Sequence, residues 1–577
     1  MVPHDASHLY DDDEDDTEMS LLNGYGYPYK ARPSDEATEG STGSEDNVRR
    51  RQTTNDLEFK PEIDTGDVSD SCFSFRKLWK YTGPGKTDVE FNIFTEHAAN
   101  DPYFFPFCQG WLMSIAYLDP GNLESDLQAG AIAGYQLLWL LFWAHVIGLV
   151  FQLLSARLGT VTGQHLAQLI RRAYSPRVSF VLWAFAQAAI IGADIMEIIG
   201  TAIALHILLH LPLWAGVMIT TIDTFTFMMI QRYGMRKMEA FFMLLIAIMT
   251  GCFWMEMIVS KPDVSQIVRG LIVPVVPKNA LIQAVGMLGA VVMPHNMFLH
   301  SALVGSRDLG SDPSVRKKRE ANFYFGIESG LALFISFLVN LAIVVVFAQV
   351  FYKPDTPDTA DFPGLADADA VLKRTLGQSA QYLWGAGLLA AGQSSTMTGT
   401  FAGQYVTEGF FGNIFRKEWH RMAITRGISL VPSMLVAVFA VDRFDTMGEL
   451  LNVLQSVCLP PVIIPIVKLS SAAVVMSSEF KLSRAMHIVS WMLTVVIIGF
   501  NIFLFVSHVT GPISLAVFII LGSIYVGFLI WLTWLPINYS PTSSDDDGWM
   551  ALPLHEGQGD NQARTSTDDD DISIRSR

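Results

Sequence analysis

The sequence predicts an all-α, multi-pass membrane protein of about twelve spans, and three observations carry that expectation. Half of the 577 residues are hydrophobic and only 16% are charged, against about a quarter in an average soluble domain. The middle of the chain is a succession of apolar runs of ~20 residues or more, each long enough to cross a ~30 Å hydrocarbon core. The charge is pushed to the ends. Residues 1–74 hold 19 Asp/Glu and 6 Lys/Arg, residues 537–577 hold 9 and 3, and of the formal −17 only +2 belongs to residues 75–536. One such apolar run arises by chance in a soluble helical enzyme; a dozen do not.

The two ends, 1–74 and 537–577, read as disordered acidic cytoplasmic tails: Asp11–Asp16, the Ser/Thr-rich 34–54 stretch, Asp545–Asp547 and Asp568–Asp571 cannot bury a core. They offer places for trafficking or ubiquitin-ligase partners. Glu18-Met-Ser-Leu21-Leu22 falls one residue short of an acidic dileucine sorting signal, and the sequon at Asn538 lies on the inner side, where it would go unused. The N-terminus lacks the basic and apolar regions of a cleavable signal, so the first span is expected to direct its own insertion. Cys72, Cys108, Cys252 and Cys458 lie far apart, which excludes a zinc site and a disulfide framework. No basic face points to nucleic acid. No GxxxxGK[ST] loop for ATP and no HExxH metalloenzyme motif occurs.

In order, the spans are 104–132, 135–156, 178–209, 213–231, 238–259, 280–305, 322–351, 379–409, 422–441, 448–467, 486–508 and 513–536. Residues 75–110 precede or open the first of them. Loops after even-numbered spans hold 18 Lys/Arg and loops after odd spans hold 7. By the positive-inside rule the even loops and both termini are cytoplasmic. Loop 352–378, with Asp355, Asp358, Asp361, Asp367 and Asp369, faces outward or into a lumen.

Spans 1 and 6 are each interrupted by a polar, helix-breaking tetrapeptide: Asp119-Pro120-Gly121-Asn122 and Met293-Pro294-His295-Asn296. Proline removes a backbone donor and clashes with the preceding turn. A kink satisfied by neighbouring helices is the plain alternative, but each break also brings coordinating side chains. The shared x-Pro-x-Asn pattern, five spans apart, is what two five-helix repeats of opposite orientation would give; transporters of that design hold substrate at mid-membrane between two discontinuous helices. The core would be 104–467, with 486–536 as two additional helices.

The candidate ligands suggest a substrate. Asp119 supplies a charged oxygen, Asn122 a neutral one, unwound backbone near Ala116 and Ala290 supplies carbonyls, and Met293 supplies a thioether. Magnesium and calcium prefer all-oxygen surroundings, whereas a thioether favours a transition metal. Core packing is the alternative for Met293. Gln455 in span 10 is a buried amide able to reach the breaks. Asp194 and Glu197 share one face of span 3 and are natural proton carriers, or else are neutralised by an arginine such as Arg426 of span 9. His295 and His300 could also titrate, or serve as hydrogen-bonded structural residues. His206 and His210 read as interfacial.

These residues carry a resemblance. SIAYLDPGNLESDLQAGA (114–131), IIGADIMEIIGTAIA (190–204), GAVVMPHNMFLHSALV (289–304) and GQSSTMTGTFAGQYVTEGF (392–410), in this order, resemble the natural resistance-associated macrophage protein (Nramp) family of proton-coupled divalent metal transporters, its animal iron and manganese carriers above all. The resemblance runs over about 110–536. It implies a LeuT-type core of ten helices plus two, with no cofactor. It also implies metal ligands at Asp119, Asn122, Met293, Ala116 and Ala290, with Gln455 joining in an occluded or inward-facing state. Proton-path residues would be Asp119, His295, Asp194 and Glu197, with Arg426. The function implied is import of Fe²⁺ or Mn²⁺ with protons to the cytosol, by alternating access, at the plasma membrane or an endosomal-lysosomal membrane. A sodium-coupled amino-acid carrier of the same fold is disfavoured, because Asp119 at a helix start would repel a substrate carboxylate. One departure stands out. Family members run from a TGPG segment almost directly into the first span; here Lys86 to Gly110 stands between them.

Overall fold

In the computed structural model the described residues are 116–230, 235–307, 309, 313–352, 364–412, 418–439, 444–507 and 512–539, and they are helical with no strand among them. The N-terminal tail, the Lys86–Gly110 insert and the C-terminal tail beyond residue 539 lie outside the described residues. Helices α1 (Pro120–Ala133), α2 (Leu138–Thr162), α3 (Leu166–Ala173), α4 (Pro176–Leu209), α5 (Leu213–Ile230), α6 (Met235–Ser260) and α7 (Val264–Ile272) make the first half. After a 3-10 turn at Lys278–Ala280 come α8 (Leu281–Val291), α9 (Pro294–Gly305), α10 (Val315–Phe351), α11 (Leu365–Thr375), α12 (Gln378–Phe411), α13 (Glu418–Phe439) and α14 (Phe444–Ser471). Helices α15 (Ala473–Phe480), α16 (Arg484–Ser507) and α17 (Pro512–Trp534) close the described chain.

Each of the twelve apolar runs meets a helix at nearly its expected bounds, the first run from Pro120 onward. Among the described residues, six helical segments are long and apolar enough to cross a membrane by themselves, and α6 with α7, bent by 116° at their junction, makes a seventh if the pair is taken as one span. Exposed side chains such as Trp143, Ile248, Val495, Ile519 and Ile520 are apolar, which fits a surface covered by lipid rather than water.

The helix ends follow local chemistry. Proline occupies the first turn of α1, α4 and α9, where its missing donor costs nothing. Gly163 ends α2 in the left-handed region at φ 68°. His210 ends α4 in the same region, and the His206 ring nitrogen lies 2.7 Å from the Leu211 carbonyl. Both histidines thus stand at the end of a helix.

The packing repeats. The first span (α1) lies on the seventh (α10), and the second (α2) on the second half of the sixth (α9); moving each partner five spans along converts one pair into the other. In the same way the third lies on the tenth and the eighth on the fifth. The third and eighth spans, α4 and α12, are equivalents of each other and form the most extensive interface. They run antiparallel. A Cβ at Gly392 would strike Thr201, one at Gly399 would lie 3.1 Å from both Asp194 Oδ1 and Glu197 Oε1, and one at Gly403 would approach Ile190. Equivalent helices of opposite direction are the mark of an inverted repeat.

This interface depends on small residues that let backbones approach. Gly200 illustrates it: a Cβ there would overlap the Pro120 ring. Gly200→Val is therefore expected to destabilise the protein by about 1–3 kcal/mol, as overpacking does, and to displace the start of α1. A thermal unfolding midpoint in detergent equal to wild type would contradict this.

Candidate functional site

Two helix starts meet inside the apolar core. Asp119 is the N-cap of α1, in extended conformation, and its Oδ1 accepts from the Asn122 backbone N–H at 2.9 Å and from Asn122 Nδ2 at 2.6 Å. Such a side chain satisfies a donor that the first helical turn leaves open. On the other side, α8 stops at Val291. Val292 and Met293 are non-helical (φ −100°, ψ 74° and φ −75°, ψ 131°), and α9 restarts at Pro294 with Met293 as its N-cap residue.

The two breaks are tied together. Asn296 Nδ2 donates to the Ala116 carbonyl at 2.8 Å, across 180 residues of sequence. Asn340 on α10 donates to the Tyr117 carbonyl at 3.1 Å, and Asn452 on α14 to the Gly121 carbonyl at 3.1 Å. Three asparagines from three helices thus hold backbone carbonyls beside Asp119. Ala290 is fully buried next to Gly289, whose Cα faces the α14 backbone at Asn452 and Ser456. Gln455, one helical turn beyond Asn452, is fully buried as well.

After these bonds are counted, unpaired polar atoms remain. Asp119 Oδ2, Asn122 Oδ1, His295 Nδ1, Asn296 Oδ1, Asn340 Oδ1, Asn452 Oδ1 and both amide atoms of Gln455 are buried without a hydrogen-bond partner. Buried polar groups in folded proteins are nearly always satisfied, so a concentration of unsatisfied oxygens at two helix breaks calls for an occupant. Met293, only 1% exposed, brings a sulfur to the second break. Among the described residues no group of three His, Cys, Asp or Glu side chains could hold a metal ion. The carboxylate here is joined by amides, carbonyls and a thioether instead.

The remaining candidates divide. Asp194 and Glu197 are buried on α4 and turn to Gly399 of α12. His300 lies deeper in α9, its Nε2 3.2 Å from Ser329 Oγ. Nearby, Arg307 pairs with Glu328 at 3.1 Å. Arg426 falls on α13, and its side chain lies outside the described residues.

Sequence reasoning passed over the two other acids of α1. Glu124 is fully buried; its Oε1 accepts from Gln128 Nε2 at 2.6 Å and its Oε2 from the Leu365 backbone N–H at 3.0 Å. Leu365 is the first residue of α11, which has no side-chain cap of its own. Leu365, Ala368 and Leu372 bury the same helix in the core. Glu124 therefore fastens α11 over α1 and stands in for its missing cap. Glu124→Ala is expected to weaken this docking by about 1.5–3 kcal/mol, the range for hydrogen bonds to a charged group. Hydrogen exchange across 364–375 reads it out, and unchanged protection would refute it. The other acid, Asp126, is considered below. The signal available in the sequence was a pair of carboxylates in a stretch otherwise fit for lipid.

The sequence pattern described as "Natural resistance-associated macrophage protein-like" matches residues 110–507. The "Metal transporter nramp1 homolog" of Dictyostelium discoideum is 46% identical over 449 residues, covering 78% of each chain. The "Natural resistance-associated macrophage protein 2" of Homo sapiens is 42% identical over 505 residues, covering 82% of this chain and 84% of the relative. Among solved structures, a manganese transporter of Eremococcus coleocola superposes with a TM-score of 0.63 at 26% identity, covering 79% of this chain and 98% of that one. With the repeat, the two breaks and these likenesses together, the chain belongs to the natural resistance-associated macrophage protein family.

Proposed function

We propose that this chain is a secondary transporter, not an enzyme, that carries divalent transition metal ions, Fe²⁺ and Mn²⁺, into the cytosol together with protons. The observation that carries the reading is the set of buried, unpartnered oxygens at the starts of α1 and α9, with the Met293 sulfur beside them. The ligands would be Asp119, Asn122, Met293 and the carbonyls of Ala116 and Ala290. Gln455 would join them once α14 swings in. One carboxylate and one thioether give a grip tight enough to choose a borderline-soft ion and weak enough to release it.

Alternating access would rock one group of helices against the other about this fixed site. The α4 carboxylates Asp194 and Glu197, set against Gly399, are suited to carrying protons away from it, with His295 at the second break and His300 and Arg426 further along. Buried acids inside a membrane are costly and mark such relays. Both termini would lie in the cytosol. The names of the relatives support metal as the cargo. Uptake of ⁵⁴Mn²⁺ into proteoliposomes, with the outside at pH 5.5 and at pH 7.5, tests the proposal. Uptake should be faster with the inward proton gradient; absence of uptake, or indifference to the gradient, would refute the transport or the coupling respectively.

A further inference from the structure

A second carboxylate on α1 has no place in the scheme above. Asp126 is fully buried, and neither of its oxygens has a hydrogen-bond partner. Seven residues separate it from Asp119, which is two turns of helix. The two side chains therefore stand on one face of α1, about 10 Å apart along its axis. Gly130, one turn further along that face, lies against the α10 backbone at Val344 and Ala348. Asp126 thus sits further along α1 than Glu124, between the metal cradle and the stretch at Gly130 that lies against α10.

No counter-ion meets it among the described residues. Helix α8 and residues 329–351 of α10 contain no ionisable side chain. On α14, Glu449 accepts from Gln283 Nε2 at 2.8 Å. On α4, Asp194 and Glu197 turn to Gly399. Glu124 is committed to Gln128 and Leu365. On α12, Tyr382 is exposed near the start and Glu408 is near the far end, bonded to Gln404. Lys278 is exposed on the 3-10 turn, and the Asp367, Asp369, Lys373 and Arg374 charges belong to α11. Asp119 stands two turns away along the same helix face.

We propose that Asp126 is a proton-binding site of the transporter, placed on the approach to the metal cradle. A lone carboxylate in apolar surroundings is too costly to leave ionised, so it holds a proton in the empty protein. A dication reaching the cradle brings two positive charges to the same helix face, which favours the carboxylate over the acid. The O–H bond breaks, the proton passes to water, and the carboxylate keeps the electron pair. Metal binding and proton release at Asp126 are therefore linked, and by reciprocity acid weakens metal binding there.

The inference rests on the proton-coupled reading above, and the experiment separates the two. Mn²⁺ is added to purified, full-length protein in weakly buffered detergent at pH 6.5 with a pH-sensitive dye, and bound metal is measured in parallel. Wild type should release protons on binding. Asp126→Asn should release about one proton fewer per Mn²⁺, and the tenfold or greater weakening of Mn²⁺ affinity between pH 7.5 and 5.5 should shrink to about threefold or less. Asp126→Glu should restore release, with a shifted midpoint. Absence of any release from wild type overturns proton coupling as a whole. Release and pH dependence unchanged in Asp126→Asn overturn the role of Asp126 alone. If Asp126→Asn does not fold, Asp126→Glu decides: an unshifted midpoint refutes the assignment.

Discussion

Asp119→Ala is expected to cut Mn²⁺ uptake by at least about a hundredfold, equivalent to about 2.7 kcal/mol of lost interaction with the ion. Asp119 is the sole carboxylate within either break, and its Oδ2 has no other partner. A dication stripped of water next to neutral amides and a thioether alone would lose the one charge that offsets its own. The substitution also removes the N-cap of α1 and the two bonds to Asn122, worth about 1 kcal/mol of helix stability. Asp119→Asn separates these effects. Its amide oxygen still accepts from the Asn122 backbone, so the helix start survives while the charge is gone. Both variants should bind and carry metal poorly, and only Asp119→Ala should unfold earlier. Uptake by Asp119→Asn at the wild-type rate would refute the role of Asp119 as ligand.

Met293→Ala should change what the protein accepts more than whether it transports. Removing the thioether leaves oxygens only, the surroundings calcium and magnesium prefer. Mn²⁺ affinity is expected to fall about tenfold, about 1.4 kcal/mol, while Ca²⁺ becomes an effective competitor of uptake. Met293 is also buried, and its truncation costs about 2–5 kcal/mol of folding stability through the cavity left behind. Met293→Leu, which fills the same space without sulfur's lone pairs, should keep stability and still lose selectivity. If Ca²⁺ fails to compete in both variants, sulfur is not a selectivity element.

The membrane spans were legible because apolarity over ~20 residues is a local property, and lipid tolerates little else. The two breaks were legible for the same kind of reason: Pro120 and Pro294 disrupt any helix that contains them. Candidate ligands could be named because each lies within four residues of one of those prolines, or, for Gln455, because a buried amide in a span is itself unusual. The partners of those residues were not legible. Nothing local to Asn296 says that it braces the Ala116 carbonyl, and nothing local to Asn340 or Asn452 marks them out as holding the backbone around Asp119. Glu124 and Asp126 passed unnoticed because their surroundings depend on what covers α1.

By itself, then, the sequence determined where the apolar helices lie, where two of them break, and which side chains stand at the breaks. Hydrophobicity and proline sterics act over a few turns of one chain segment. The tertiary structure alone decided which carbonyls are braced and which oxygens stay unpaired. It also decided that the Gly392, Gly399 and Gly403 face would seat α4, and that neither oxygen of Asp126 would find a hydrogen-bond partner among the described residues. Those outcomes come from pairing segments far apart in the chain, and hydrogen-bond satisfaction can be counted only once the packed partners are in place.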